Sequence, residues 1–219
     1  MKGKLIVLEG ADGTGKSTQL ELLVNRLKKE NKNIVNLHFP KHGVSFGKNI
    51  DAYLRGDFGL KENLPSEFIA MLYMTDFYES KKDLEELLEK GNTIILSRYF
   101  SSTLTYQVAQ EKDNKDKIWD WITAVSSRLP QPDLTIVLNV TQEYAEKLMS
   151  NPNRVENYKN GYDRDQHEKD FNLQKEVRNV YAKNIEKLGW KEIICIENNN
   201  LLSVEKIHEL IYSEVKKLL

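Results

Sequence analysis

Residues 10–17 read Gly-Ala-Asp-Gly-Thr-Gly-Lys-Ser, and this stretch is the strongest motif in the chain. It matches the phosphate-loop pattern, in which two glycines separated by four residues precede a lysine and a serine or threonine. A short apolar run, Leu5–Leu8, comes before it, and Ser17–Glu30 follows with its leucines on one helical face. Because a strand before and an amphipathic helix after are the context that this motif needs, the sequence predicts a nucleotide-binding loop.

The residue types of the loop suit the chemistry of phosphate binding. Glycines let the backbone N–H groups turn inward towards phosphate oxygens, and the following helix N-terminus adds positive potential. Lys16 is expected to contact the terminal phosphates, and the Ser17 hydroxyl is a candidate ligand of Mg²⁺. The residues predicted to bind the nucleotide are Gly10, Asp12, Gly13, Thr14, Gly15, Lys16, Ser17 and Thr18.

Outside the loop, strand-like runs alternate with helical stretches. Further strands are predicted over residues 33–39, 93–96, 133–140 and 192–196. One or two helices are predicted over 65–88, a long helical stretch over 164–188, and a last helix with apolar residues at helical spacing from Val204 to Leu218. Such alternation requires crossover connections, which favour a parallel sheet covered on both faces. The sequence therefore predicts an α/β protein with a five-stranded parallel sheet flanked by helices on both faces. A single domain over residues 1–219 is expected.

One interior segment departs from this alternation. Residues 150–164 are polar and rich in asparagine, and are predicted to form a mobile lid over an active site. Just after it, His167 is expected to be a surface or packing residue and Glu168 to lie on a solvated helix face.

Composition excludes several classes of protein. The net charge of −1 provides no overall field for a nucleic-acid backbone, and the single cysteine, Cys195, excludes an intramolecular disulfide framework. No stretch approaches the roughly 20 apolar residues of a membrane helix, and the apolar run near the start is too short for a signal sequence. We expect a cytoplasmic protein with no nucleic-acid or membrane partner.

Two other classes of phosphate-loop protein are disfavoured. A GTPase carries Asn-Lys-x-Asp for guanine, whereas the nearest string here is Asn114-Lys115-Asp116-Lys117, with the aspartate one position early. A motor or helicase ATPase usually has an apolar strand that ends in aspartate, whereas Leu96 is followed by Ser97 and Leu138 by Asn139. Both classes are therefore weakened as interpretations of the phosphate loop.

Short motifs spread along nearly the whole chain resemble those of the thymidylate kinase family, within the nucleoside monophosphate kinases. They are residues 8–19, Phe39-Pro40, Ser97-Arg98-Tyr99, Tyr106-Gln107, residues 130–134 (Pro-Gln-Pro-Asp-Leu) and residues 163–170. The resemblance implies a homodimeric enzyme that uses ATP and Mg²⁺ to convert thymidine monophosphate into thymidine diphosphate.

The resemblance also implies roles for individual residues. Asp12 faces the acceptor sugar, Arg98 clamps phosphate, and Phe39 with Lys41 or His42 approaches the acceptor phosphate. Tyr73 stacks on the base and Gln107 bonds its pyrimidine edge. Family members with glycine at the position of Gly13 take a catalytic arginine from the lid, so the implied catalytic residues are Lys16, Arg98, Arg154 and Arg164.

Two departures from the family pattern leave alternatives open. Ser97 stands where the family has an aspartate that helps to hold Mg²⁺, so Ser97 and Glu9 are only weak metal-ligand candidates beside Ser17. Asp76-Phe77 stands where the family has an arginine that bonds the thymine carbonyl. A kinase for another (deoxy)nucleoside monophosphate and a weakly active nucleotide-binding homologue are therefore the alternatives to a thymidylate kinase.

Overall fold

The computed structural model of the chain describes residues 2–30, 32–150 and 165–219. Five strands form one sheet: β1 (Leu5–Glu9), β2 (Ile34–His38), β3 (Thr93–Ser97), β4 (Leu134–Asn139) and β5 (Lys191–Ile194). Their order across the sheet is β2-β3-β1-β4-β5, and every neighbouring pair is parallel. The predicted five-stranded parallel sheet is confirmed.

Helices cover both faces of this sheet. They are α1 (Lys16–Lys29), α2 (Gly47–Arg55), α3 (Ser66–Glu79), α4 (Lys81–Glu89), α5 (Phe100–Gln110), α6 (Lys115–Ser126), α7 (Gln142–Met149), α8 (Phe171–Leu188) and α9 (Val204–Leu218). Side chains alternate along β1, so that Leu5 and Val7 pack with α3–α6 and α8, whereas Ile6 and Leu8 pack with α1, α7 and α9. Among the described residues, no helix has the length and apolar character needed to cross a membrane.

Several predicted boundaries were wrong. The helix predicted over 164–188 begins only at Phe171, because the Asp170 side chain caps it by accepting a hydrogen bond from the Leu173 N–H at 2.9 Å. The fifth strand ends at Ile194, and Ile196–Glu197 instead pairs antiparallel with Asn200–Leu201. The stretch 65–88, for which one or two helices were predicted, forms two, α3 and α4. The single domain over 1–219 stays a prediction.

The connectivity brings three sequence motifs to one edge of the sheet. The phosphate loop follows β1, Arg98 follows β3, and Phe39-Pro40, joined by a cis peptide bond, follows β2. Since the three strands are adjacent and parallel, their carboxyl ends lie side by side, where ligands bind in open α/β sheets.

Candidate active site

A cleft of about 780 Å³ opens at this edge of the sheet. Its volume is within the usual range for a site that binds small molecules. Most of the predicted site residues line it: Asp12, Gly13, Thr14, Gly15, Lys16, Ser17, Thr18, Phe39, His42, Tyr73, Ser97, Arg98 and Gln107. Gly10, Glu9 and Lys41 are not among its lining residues, and Arg154 and Arg164 lie outside the described part of the chain, as does nearly all of the predicted lid.

The phosphate loop has the backbone that its sequence demands. Gly15 has a φ of 82°, in the left-handed region that favours glycine, and α1 begins at the next residue. The Lys16 ammonium donates to the carbonyls of Gly10 at 3.0 Å and Ala11 at 2.8 Å, so the side chain curls back over the loop. Ser17 is exposed at the cleft, where its hydroxyl can meet a ligand.

Asp12 is the centre of a polar network on the opposite side of the loop. Its carboxylate forms an ion pair with Arg98, and it accepts hydrogen bonds from the Tyr106 hydroxyl at 2.8 Å and the Gln174 amide at 2.9 Å. Burial opposes ionisation, but Arg98, Lys16 and Tyr106 outweigh it and hold the pKa of Asp12 well below its usual range. Asp12 is thus an anionic group held in a fixed orientation beside the cleft.

Arg98 is fixed by both its backbone and its side chain. Its φ of 64° is unusual for a residue with a side chain and turns the chain from β3 into α5. Its guanidinium donates to the Ser102 hydroxyl at 3.1 Å and pairs with Asp12. An arginine held at two points presents a planar cation to the cleft with little freedom left to lose on binding.

Glu9 lies behind Arg98 and faces the interior. One of its carboxylate oxygens accepts from the Tyr99 N–H at 3.1 Å and the Ser101 hydroxyl at 2.5 Å. The other accepts from the Ser102 hydroxyl at 2.5 Å and the Tyr181 hydroxyl at 2.8 Å. With four donors on two oxygens and no place on the cleft wall, Glu9 is not positioned for the weak metal role that the sequence suggested.

Several polar groups on the wall of the cleft differ from Glu9, because they have no hydrogen-bond partner in the described part of the chain. The hydroxyls of Ser97, Tyr99 and Thr103 and both polar atoms of the Gln107 amide are buried, and none has a hydrogen-bond partner among the described residues. Thr103 and Gln107 lie one turn apart on one face of α5, and Tyr99 directly precedes this helix. All four residues line the cleft.

The loop between Phe39-Pro40 and α2, which we call the acceptor loop, contains Lys41 and His42, the two candidates for contact with the acceptor phosphate. His42 lines the cleft, whereas Lys41 does not, and the Lys41 backbone N–H donates to the Asp76 carboxylate at 2.9 Å. Phe77 is 1% exposed and packs edge-on against Phe39 with ring centroids 5.1 Å apart. Phe77 also lines the cleft, so the part of the chain where the family has an arginine presents an apolar ring to it.

His167 and Glu168 are both buried and line the cleft, so the solvated helix face expected for Glu168 was wrong, whereas His167 is the packing residue that was one of its two expected roles. Residues 165–170 form turns rather than a helix, and the Gln166 N–H donates to the Leu54 carbonyl at 3.1 Å. His167 stacks on Tyr106 with centroids 5.5 Å apart and contacts the Tyr53 hydroxyl at 2.5 Å. Burial lowers the pKa of His167 to about 4, so its ring is neutral at pH 7.

Gln174, which bonds Asp12, was also missed by the sequence reasoning. It lies on α8, 162 residues from Asp12, and a glutamine inside a polar helix carries no local signal. Among the described residues, no cluster of three histidine, cysteine or carboxylate side chains is arranged to hold a metal ion.

Comparison with known proteins agrees with this geometry. The family model described as thymidylate kinase matches residues 8–211. The chain belongs to the thymidylate kinase family. The resemblance inferred from the short motifs is confirmed.

Individual family members support the same conclusion. The thymidylate kinase of Plasmodium falciparum is 30% identical over 217 residues, covering 99% of this chain and 91% of that protein. The thymidylate kinase of Schizosaccharomyces pombe is 35% identical over 144 residues, covering 66% of this chain and 64% of the relative. The solved thymidylate kinase structure from Candida albicans superposes with a TM-score of 0.74 at 22% identity, covering 99% of this chain and 92% of that one, which shows the shared fold.

Proposed function

We propose that this protein transfers the γ-phosphoryl group of ATP to thymidine monophosphate, giving ADP and thymidine diphosphate. The observation that carries the proposal is one cleft in which the phosphate loop stands beside the half-buried Asp12–Arg98 pair, in a chain of the thymidylate kinase family. Phosphoryl transfer asks a protein mainly to position two substrates and neutralise charge, and this cleft has groups for both tasks.

The two sides of the loop divide these tasks. Lys16, Ser17 and Thr18 face the donor nucleotide, and Lys16 exchanges its contacts with the loop carbonyls for the phosphates of ATP. On the acceptor side, the Asp12 carboxylate accepts a hydrogen bond from the sugar hydroxyl, while Arg98 binds phosphate. The positive charges of Lys16 and Arg98 then flank the transferring group. Arg154 and Arg164 remain proposed as further cations from the lid.

The acceptor base is bound between Tyr73 and the polar face of α5. Tyr73 is half-buried and lines the cleft, which suits a ring that stacks on a base. The buried Gln107 amide has one donor group and one acceptor group to offer to the edge of a pyrimidine. Thymine presents the complementary pair, an N–H beside a carbonyl.

A second candidate function is a kinase with a broader range of pyrimidine monophosphates. Two side chains favour it. Phe77 is apolar, so it cannot donate to the thymine carbonyl as an arginine would. The Gln107 amide can exchange its donor and acceptor by rotation about one bond. Such an amide can pair with the amino edge of cytosine as well as with the carbonyl edge of thymine or uracil.

Mg²⁺ fits this site through hydroxyl ligands. The exposed Ser17 hydroxyl and the buried Ser97 hydroxyl, which has no partner in the described part of the chain, would hold the ion together with the nucleotide phosphates. When bound, the ion supplies charge neutralisation to those phosphates. We also propose that the enzyme acts in the cytoplasm as a homodimer, as the family resemblance implies.

The experiment that tests the proposal is a coupled assay of ADP release with a panel of nucleoside monophosphates. Thymidine monophosphate should give the highest kcat/KM for a thymidylate kinase, and similar values for the uridine and cytidine forms would favour the second candidate. Lys16→Ala should lower turnover at least ~100-fold, since its charge acts on the transferring phosphates. Lys28→Ala, on the exposed face of the same helix, is the matched control. Near-normal turnover of folded Lys16→Ala would exclude this assignment.

A further inference from the structure

A buried carboxylate on α2 holds the acceptor loop from below. Asp51 is 4% exposed, and its two oxygens contact consecutive residues of that loop. One oxygen accepts from His42 Nδ1, and the other accepts from the Gly43 N–H at 2.7 Å. The side chain thus ties the loop that follows Phe39-Pro40 to the helix that comes after it.

The contact with Asp51 fixes how His42 can act in the cleft. Because Nδ1 donates to the carboxylate, the orientation and the tautomer of the ring are set, and the other ring nitrogen carries a proton only when the ring is cationic. The His42 ring lines the cleft on the acceptor side. In its cationic form this ring offers an anion a charge-assisted hydrogen bond.

The charged and titratable groups around His42 come from three elements and its own loop. His38, at the end of β2, has its ring centroid 5.8 Å from that of His42. Asp51 faces the ring from α2, Asp76 interacts with it electrostatically from α3, and Lys41 precedes it in the chain. Two carboxylates, Asp51 and Asp76, therefore interact with a histidine that lines the cleft.

We propose that Asp51 is a positioning residue that holds His42 as a cationic, pH-dependent ligand of the acceptor's phosphate group. The inference rests on the proposed function, because it assumes that the acceptor is a nucleoside monophosphate. It identifies His42 rather than Lys41 as the loop residue that meets this phosphate. Recognition of the acceptor, unlike recognition of ATP, then depends on the protonation of one imidazole.

The first test is a pH series of KM for thymidine monophosphate from pH 5.5 to 8.5, with wild type beside His42→Arg. The wild-type KM divided by the His42→Arg KM should rise with pH, because an imidazole can lose its charge over this series whereas an arginine keeps its own. The second ionisation of the substrate phosphate, near ~6, affects both proteins alike and cancels in the ratio. A ratio that stays constant with pH would overturn the inference.

The second test is a double-mutant cycle with His42→Ala and Asp51→Asn. Asp51→Asn alone should raise KM for the monophosphate about tenfold, which is what one charge-assisted hydrogen bond supports, with KM for ATP unchanged. In the His42→Ala background the same change should add nothing, because Asp51 acts through His42. Asp57→Asn, an exposed carboxylate just beyond α2, is the control. Effects that add independently would overturn the inference.

The outcomes also separate this inference from the proposed function. A folded wild type with no activity on any nucleoside monophosphate overturns both. An active wild type whose KM ratio to His42→Arg is independent of pH overturns the inference alone. If Asp51→Asn lowers the melting temperature too far for kinetics, the pH series with His42→Arg still decides, since that variant keeps Asp51.

Discussion

Helix α5 serves two groups of buried polar side chains that differ in one respect. Ser101 and Ser102, on one side, donate to Glu9 in what we call the Glu9 cluster, where every carboxylate oxygen has two donors. Thr103 and Gln107, on the other side, form with Ser97 and Tyr99 what we call the cleft wall, where the buried polar atoms have no partner among the described residues. Both groups are buried, and both include residues of α5.

This difference distinguishes buried polar groups that stabilise the fold from buried polar groups that bind a ligand. Leaving a buried donor or acceptor without a partner costs about 1–3 kcal/mol, so a folded chain keeps such groups only where something else compensates. The Glu9 cluster compensates internally and fixes the turn from β3 to α5 that carries Arg98. The cleft wall is arranged for a partner that arrives from outside.

The largest effect is expected in the Glu9 cluster. Glu9→Ala removes the acceptor of four donors, and the free energy of unfolding should fall by about 3 kcal/mol or more, as measured by urea denaturation. Glu21→Ala, an exposed carboxylate on α1, should change it by less than ~0.5 kcal/mol. A small loss in Glu9→Ala, with kinetics strongly altered, would mean that Glu9 serves the reaction rather than the fold.

A smaller effect of the opposite kind is expected on the cleft wall. Gln107→Leu replaces an amide without a partner by an apolar side chain of similar size, so the free energy of unfolding should stay constant or rise. KM for thymidine monophosphate should rise about tenfold, because one or two hydrogen bonds to the base are lost, while KM for ATP should not change. Loss of stability without a change in KM would place Gln107 with the Glu9 cluster.

The sequence predicted the parts of the site whose signal is local. The phosphate loop, Arg98 after β3 and Gln107 on α5 sit in short motifs, and the alternation of strands and helices places those motifs at one edge of the sheet. The roles of Gln174 and Asp51 could not be predicted from the sequence. Each lies on a helix whose sequence does not indicate the side chain that it contacts, Asp12 for Gln174 and His42 for Asp51. Glu168 was misplaced because a helical pattern was extended over turns that dock against α2.

The smallest effect concerns Ser97, the one residue on the cleft wall that departs from the family pattern. Ser97→Asp places a carboxylate where a buried hydroxyl has no partner in the described chain. Because a buried anion without a partner is unfavourable, the melting temperature should fall by a few degrees without ligands. If the position faces the metal, the loss should largely disappear with Mg²⁺ and ATP, and half-saturation should need several-fold less Mg²⁺, since hard cations prefer anionic oxygen.

Ser97→Asn, a neutral control of the same shape, should show no recovery specific to Mg²⁺. A melting temperature that stays low with Mg²⁺ and ATP would mean that the Ser97 hydroxyl faces another part of the acceptor. The cleft wall would then still bind a ligand, but Mg²⁺ would be held on the ATP side of the site, around Ser17.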